Sequence, residues 1–446
     1  MTENVLDTRS EDDDKPKKQI KLGIAGLGTV GCGLLAVLEK NGDLIANRSG
    51  CEFTIGAVTA RDRQRKREVD ISAYHWCDNP VDMADPDKVD VVVELIGGSD
   101  GPALALARAA LGKGLSFVTA NKAMIAHHGA ELASLAERTG ASLRFEAAVA
   151  GGIPIVKTIK EGLAANRIDR MHGILNGTGN YILTMMEETG ESFENALAKA
   201  QALGYAEADP SFDIDGVDTA HKIAILTSLA FGTPPTMNDL PIEGIRNISD
   251  IDIAYAKDLG FRIKLLGISR LTKEGKLDQR VHASMVEASE ALAKVSGASN
   301  AIEAHGDFVG PCMIEGLGAG AGPTASAVMA DLIELARGNT GSTFSLPASK
   351  LAPLPLLESG ERTGEFYVRL RVSDKTGVMA DIASALRDEG VSVERLIQRT
   401  RASDDSVHLI MTTHETSESR MASVLERFSG LSSVLEKPCM LRIEPI

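Results

Sequence analysis

The chain has 446 residues, which at about 150 residues per domain predicts roughly three domains. Lys and Arg number 47 against 62 Asp and Glu, a formal charge of −15, and so negative a surface disfavours DNA, RNA and anionic lipid as partners. Hydrophobic residues at 43% and charged residues at 24% match a soluble globular chain, while 43 glycines, above the usual ~7%, predict many tight turns and close backbone approaches.

The opening stretch, MTENVLDTRSEDDDKPKK, is polar with an acidic run and lacks the apolar core of a signal peptide. Residues 1–18 are expected to form a disordered tail. From Gln19, IKLGIA reads as a buried strand, GLGTVG as a turn and CGLLAVLEK as an amphipathic helix. Apolar runs at FTIGAVT, VDVVVELIGG and LSFVTA follow, separated by the helix-like PALALARAALGKG and AMIAHHGAELASLAERTG, and SLRFEAAV, residues 142–149, reads as the last strand. Short buried strands alternating with helices predict an α/β fold with a Rossmann-type, doubly wound parallel sheet over residues 19–149.

After Gly151 and Gly152 longer helical stretches (IPIVKTIKEGLAAN, SFENALAKAQALG, DGVDTAHKIAILTSLAFG) mix with strand-like RIDRMHGILNG and QRVHASMVE, a second, α+β domain over residues 150–321. GLGAGAGPTASAVMADLIELARG then leads into a helix over residues 322–338 that is expected to pack back on the first domain and complete it. Residues 339–361, with Pro347, Pro353 and Pro355 and no clear period, read as a linker. Residues 362–446 spell βαββαβ, the ferredoxin-like arrangement. No apolar stretch approaches the ~18 residues that span a bilayer. The five cysteines are far apart and form no CxxC pair, so neither a disulfide framework nor a zinc site is indicated and a cytoplasmic setting is expected.

Gly26-Leu27-Gly28-Thr29-Val30-Gly31 is a GxGxxG between a strand and a helix. The glycines permit the tight turn and let a pyrophosphate sit at the helix N-terminus, where free N–H groups favour anions. The end of the second strand distinguishes the cofactors, because NAD wants an acid against its ribose while Arg61 suits the 2′-phosphate of NADP. NADP is therefore favoured, with Asp62 leaving NAD open; the same residues also read as a solvated basic loop. His127 and His128 sit on a helix without a second ligand pair and read as surface or core histidines.

The stretch GYAEADPSFDIDGVDTAHK, residues 204–222, holds Glu207, Asp209, Asp213, Asp215 and Asp218, then Lys222. As a calcium loop it fails, because placing Gly216 at the sixth position puts Lys222 where a bidentate Glu belongs. Asp218 and Lys222 are i and i+4 on one helix face, and the apolar run Ile223-Ala224-Ile225-Leu226 argues for a buried pair over a surface one. A lysine whose pKa is lowered by burial can serve as a proton donor.

Together, GLGTVG, Thr119-Ala120-Asn121-Lys122, EAAVAGGIP (residues 146–154), Leu175-Asn176-Gly177-Thr178, the 204–222 segment and GAGAGPTASA resemble the monofunctional homoserine dehydrogenases with a C-terminal ACT domain. The resemblance spans nearly all of residues 19–338. It implies reversible, NAD(P)-dependent hydride transfer between L-aspartate 4-semialdehyde and L-homoserine, in threonine, methionine and isoleucine biosynthesis. It implies Lys222 as acid/base and Lys122 for positioning carbonyl and nicotinamide, two roles that could be exchanged, with Asp218 orienting Lys222. Glu207 and Asp213 would bind the substrate ammonium; Asn176 and Thr178 either bond the substrate or cap the next helix. Gly26, Gly28, Thr29, Val30, Gly31, Thr119, Lys122, Gly320 and Gly322 would contact the cofactor. Glu146, Val149, Gly151 and Ile153 would hold sodium, although that stretch reads equally as an interdomain hinge.

Residues 363–446 resemble an ACT domain, with Asp374 and Gly377 at the strand-to-helix turn where such domains hold small ligands. That implies threonine as feedback effector and a homodimer or homotetramer; pairing without regulation stays open. Two competing readings are another Rossmann-fold amino-acid or semialdehyde dehydrogenase and a non-catalytic nucleotide sensor. An aldehyde-oxidising enzyme would want a nucleophilic cysteine, which neither Cys32 nor Cys312 offers, and the Asp218–Lys222 pair counts against a sensor.

Overall fold

The computed structural model describes residues 18–398 and 405–446. The tail expected over residues 1–18 lies outside the described residues except for its last position, as do residues 399 and 400 of the strand read at VSVERLIQRT.

The glycine motif joins β1 (Lys18–Ala25) to α1 (Thr29–Ser49). Then come β2 (Cys51–Thr59), β3 (Val91–Glu94), α2 (Pro102–Gly112), β4 (Ser116–Thr119), α3 (Lys122–Thr139) and β5 (Leu143–Arg144). These strands run parallel in the order β2-β1-β3-β4-β5. All four residues of β3 are buried, as expected for a strand covered on both faces.

The expected last strand, 142–149, shrinks to Leu143–Arg144. Beyond it the N–H of Glu146 bonds Asp331 Oδ2 at 2.8 Å instead of a sheet neighbour, and Glu146–Ala148 forms a 3-10 turn. The chain then passes Ala150 and Gly151, both at φ 54, where a Cβ on Gly151 would lie 2.4 Å from the carbonyl oxygen of Gly318. That approach requires glycine.

The helix expected over 153–166 is short, α4 (Ile155–Lys157) plus one further turn, Thr158–Gly162. It leads to β6 (Ile168–Ile174), α5 (Gly177–Thr189), α6 (Phe193–Ala202), α7 (Ser211–Ile214), α8 (Val217–Phe231), α9 (Asp250–Asp258), β7 (Phe261–Leu271), β8 (Leu277–Glu287), β9 (Ser299–Gly306) and β10 (Gly310–Leu317). α10 (Ala321–Ala336) packs on α1, and a Cβ on Gly33 would come within 2.8 Å of the Ala321 oxygen. Val328 and Leu332 of α10 thereby share a core with Ile24 of the parallel sheet and Leu34 of α1.

The segment read as a linker is docked. Phe344 is buried with its ring 5.4 Å from that of Phe145, and the N–H of Leu277 bonds the Pro355 oxygen at 2.7 Å. Its apolar side chains, scattered among prolines, carry no period for a sequence pattern to detect. The C-terminal unit is β11 (Thr363–Ser373), α11 (Val378–Asp388), β12 (Val393–Gln398), β13 (Ser406–Thr413), a two-residue β14 (Thr416–Ser417), α12 (Glu418–Ser429) and β15 (Cys439–Ile443). It has its own core around Val368, Leu370, Ile382 and Phe428. Its sheet is continuous with that of the middle unit, in the order β10-β9-β6-β7-β8-β15-β11-β13-β12, because β15 pairs in parallel with β8. No helix among the described residues is long and apolar enough to cross a membrane.

Candidate active site

α8 begins after Gly216, at φ +87, where a Cβ would crowd Val281 and Ile242 at about 3 Å. All its residues from Asp218 to Leu229 are buried, which excludes a surface ion pair. Lys222 Nζ donates to Asp218 Oδ2 at 2.8 Å and to the Leu175 carbonyl at 2.7 Å. Lys122, the first residue of α3, brings its Nζ to 3.1 Å from Asp218 Oδ1. One buried carboxylate thus bridges two ammonium groups, whose side chains are 33% exposed for Lys122 and 10% for Lys222.

Asn176 joins them from the N-cap of α5. Its Oδ1 accepts the Gly179 N–H at 2.6 Å, while its Nδ2 donates to Asp218 Oδ2 at 2.8 Å and Asp213 Oδ1 at 2.7 Å. The helix cap expected as one alternative is therefore present, and the same side chain also orients two acids. Thr178 donates to the Tyr205 carbonyl at 2.7 Å. Asn300 was not singled out by sequence, yet it donates to the Leu175 oxygen at 3.0 Å beside Lys222; it lies on β9, far along the chain, with no local motif to mark it. Glu207 is exposed on the loop before α7, its carbonyl accepting from Gln201 Nε2 at 3.0 Å.

Burial alone would raise Asp218, but Lys222, Lys122 and Asn176 outweigh it and hold the carboxyl well below the usual range. Burial lowers Lys222, and Asp218 reverses part of that shift. Asp213 is raised by burial against the bond from Asn176. The neighbouring His221 is pushed down to about 4 by burial, then by His127 and Lys122, so it is neutral at physiological pH. A buried lysine with a lowered pKa and an N–H to spare can deliver or accept a proton.

The nucleotide half fits a dinucleotide. A Cβ on Gly31 would lie 2.0 Å from the Gly26 oxygen and one on Gly26 2.4 Å from the Leu95 oxygen, whereas Gly28 faces open space. Gly28 caps α1 without a side-chain bond, leaving the first N–H groups for an anion. Val30 is half-buried behind it. A cleft of about 830 Å³ is lined by Leu27, Gly28, Thr29, Arg65, Lys66 and Gly322 among others. Arg61 is exposed and outside that lining; the loop folds back on itself, tied by Arg67, whose Nε donates to the Leu27 oxygen at 3.3 Å. This fold-back brings Arg65 and Lys66, rather than Arg61, to the cleft. Thr119 is fully buried and donates to Glu94 Oε2 at 2.6 Å. Glu94 also accepts the N–H groups of Ile96 and Gly97 at 2.6 and 2.9 Å, bracing the ends of β3 and β4; an acid closing an apolar strand was its only sequence signal. Gly320, at φ +115, is the N-cap of α10.

At the 146–153 turn, Glu146 accepts the N–H groups of Val156 and Lys157, both at 2.9 Å. Its carboxyl is raised to about 7 by burial and by Asp331. The carbonyls of Val149 and Gly151 accept no hydrogen bond among the described residues, and that of Ile153 takes the Ile155 N–H at 2.8 Å. His127 meets His221 edge-on at 5.3 Å, and His128 Nε2 lies 3.2 Å from Asp100. In the C-terminal unit Asp374 is exposed and Gly377, at φ +95, caps α11 without a side-chain bond.

Residues 154–333 match the family model described as "Homoserine dehydrogenase", residues 26–146 "Homoserine dehydrogenase, NAD binding domain", and residues 366–432 "ACT domain". The homoserine dehydrogenase of Neisseria gonorrhoeae is 42% identical over 96% of this chain and 99% of its own length; that of Pseudomonas aeruginosa is 41% identical over 96% and 100%. The crystal structure of a homoserine dehydrogenase from Thiobacillus denitrificans is 41% identical with a TM-score of 0.90, covering 96% of this chain and 98% of that one. A hyperthermophilic archaeal homoserine dehydrogenase in complex with NADPH is 27% identical with a TM-score of 0.59, covering 71% of this chain and 97% of its own.

Proposed function

This chain belongs to the homoserine dehydrogenase family, oxidoreductases acting on a CH–OH group, and from that premise we propose how its residues divide the reaction and its control. The observation that carries the reading is the convergence of Lys122 and Lys222 on the buried Asp218. When bound, NAD(P)H supplies the hydride for the carbonyl carbon of L-aspartate 4-semialdehyde. Lys222 gives its proton to the carbonyl oxygen as charge develops there, and takes it back when L-homoserine is oxidised. Its lowered pKa suits it to both directions. Of its three N–H donors, two are held by Asp218 and Leu175, which aims the third. Lys122 keeps two donors free for the carbonyl and the nicotinamide amide. Asp213 and Glu207 bind the substrate ammonium, with Asn176 setting Asp213 and Thr178 holding the Tyr205 loop beside it.

NADP is the preferred cofactor and NAD is accepted, a reading supported by the basic Arg65 and Lys66 at the cleft, with Arg61 at the strand end. Gly26, Gly28, Thr29, Val30 and Gly31 take the pyrophosphate, Gly320 and Gly322 border it, and Thr119 braces the nicotinamide side through Glu94. A sodium ion at the 146–153 turn is held by main-chain carbonyls, including those of Val149 and Gly151, while Glu146 ties the turn to α4. The enzyme works in the cytoplasm in threonine, methionine and isoleucine biosynthesis, as at least a dimer through side-by-side ACT domains. Threonine binds at the Asp374–Gly377 turn, where the open N-terminus of α11 suits a carboxylate.

The test is oxidation of NADPH and of NADH with aspartate semialdehyde, repeated across a threonine titration. Turnover with a lower KM for NADPH, suppressed by threonine, supports the whole reading. A flat threonine response with no binding heat ends the regulatory part, and no turnover with either cofactor ends the catalytic part.

A further inference from the structure

Lys122 is poorly restrained for a residue given so demanding a position. It is a third exposed, has Asp218 as its ion-pair partner, and stands at the first position of α3, the positive end of that helix's dipole, which gives an ammonium no hold. A second carboxylate would fix it at the cost of another N–H donor. The structure provides an aromatic face instead: Nζ lies 5.4 Å from the ring centroid of Phe212, inside the ~6 Å range in which a ring quadrupole attracts a cation.

The turn that carries the ring is anchored, and one histidine packs against the ring itself. Phe212 sits on α7 between Ser211 and Asp213, and the neighbouring Ile214 is fully buried as the anchor of that turn. Arg246 clamps the turn from outside through Ser211 Oγ at 2.9 Å and Asp215 Oδ2 at 3.0 Å. The neutral ring of His221 packs against Phe212 at 5.5 Å and is backed by His127 at 5.3 Å. Phe212 is only partly buried, 42% exposed, with Lys122 over its face, so burial alone does not account for its placement.

We propose that Phe212 is a positioning residue: its ring face holds the Lys122 ammonium beside Asp218 without using an N–H, which leaves two donors for the reacting carbonyl and the nicotinamide amide. The contact is electrostatic and non-hydrogen-bonding, so it restrains the ammonium while keeping it electrophilic. This inference rests on the reading of Lys122 given above.

The experiment compares Phe212→Leu, which keeps an apolar side chain and removes the π face, with Phe212→Tyr, which keeps the face. In semialdehyde reduction Phe212→Leu is expected to lower kcat roughly three- to tenfold, the range of a partly desolvated cation–π contact, with the KM for NADPH changed by less than about twofold. Phe212→Tyr should stay near the wild type. In protein carrying 13C-labelled lysine, the Lys122 ε-methylene signal, identified by its loss in Lys122→Ala, should be shifted upfield by the ring in the wild type and Phe212→Tyr and return to the ordinary position in Phe212→Leu. Equal losses in the Leu and Tyr variants, or an unchanged kcat and signal in Phe212→Leu, overturn the role of the ring. Undiminished activity in Lys122→Ala overturns the underlying reading of Lys122 instead.

Discussion

Two buried clusters in this molecule pair carboxylates with cations, lysines in one and arginines in the other, and shift those cations in opposite directions. In the first, Asp218 bridges two lysines that retain unused donors. In the second, at the seam between β8 and β15, Asp278 accepts from Arg270 at 2.8 Å, from Arg362 at 2.7 Å and from Arg280, while Glu444 takes Arg280 Nη2 at 2.7 Å. Burial lowers Lys222 by more than Asp218 raises it, whereas Arg280 is raised, because the pull of Glu444 and Asp278 exceeds the cost of its burial. The difference is one of side-chain chemistry: a guanidinium fork fills carboxylate lone pairs two at a time and does not titrate, while an ammonium is a point charge whose proton can leave. Arginine makes the seam a structural joint, and lysine leaves the other cluster open for a reaction.

Substitutions at each cluster test whether that division holds. Lys222→Ala should lower kcat by about 10²- to 10⁴-fold, the usual contribution of a general acid, and should cost less in a urea melt than the seam substitution, because Asp218 keeps Lys122 and Asn176 and an ammonium disfavoured by burial is removed. Glu444→Ala should do the reverse: it takes from the buried Arg280 one of its two carboxylates, leaving Asp278, and should cost up to about 3–5 kcal/mol of unfolding free energy in the same melt, with kcat little changed. A seam variant that lost turnover without losing stability would break the comparison.

A smaller and sharper effect lies in the pH profile. On the proposed role of Lys222, reduction needs its ammonium protonated, so the rate should fall as pH rises through a folded-state pKa below the ordinary 10.5, and oxidation should gain over the same window. Asp218 raises that pKa, so Asp218→Asn should move the alkaline limb to lower pH; a limb that stays put would show that another group titrates. In stability the signs are opposite for the two partners. The depressed Asp218 contributes above its ordinary value of 3.8 and loses that contribution as pH falls. The depressed Lys222 is a cost while charged, relieved as pH rises between its folded value and 10.5. The smallest effect is expected at Arg246→Ala: its pair with Asp215 is 46% and 42% exposed and should be worth less than about 1 kcal/mol in a melt.

What could be read locally was read from spacing. The GxGxxG needed only its flanking strand and helix, and Asp218 with Lys222 needed only the helical repeat. The short β5 escaped because Asp331, far along the chain, takes the N–H that would have continued the sheet. Phe344 and Pro355 escaped because irregular docking has no period. Arg65 displaced Arg61 at the cleft through a loop that Arg67 ties to Leu27, a contact no strand-end rule encodes. Asn300 and Glu94 carried no motif.

By itself, then, the sequence determined the order of units, the nucleotide turn and the acid–lysine helix face, since each is a matter of neighbours within a few turns of chain. Only the tertiary structure decided that Lys122 shares Asp218 with Lys222, that Asn176 serves helix and acids together, and that β15 welds the C-terminal unit to β8. Those outcomes depend on which distant groups share a buried volume, because burial is what makes the charges gathered there act strongly on one another.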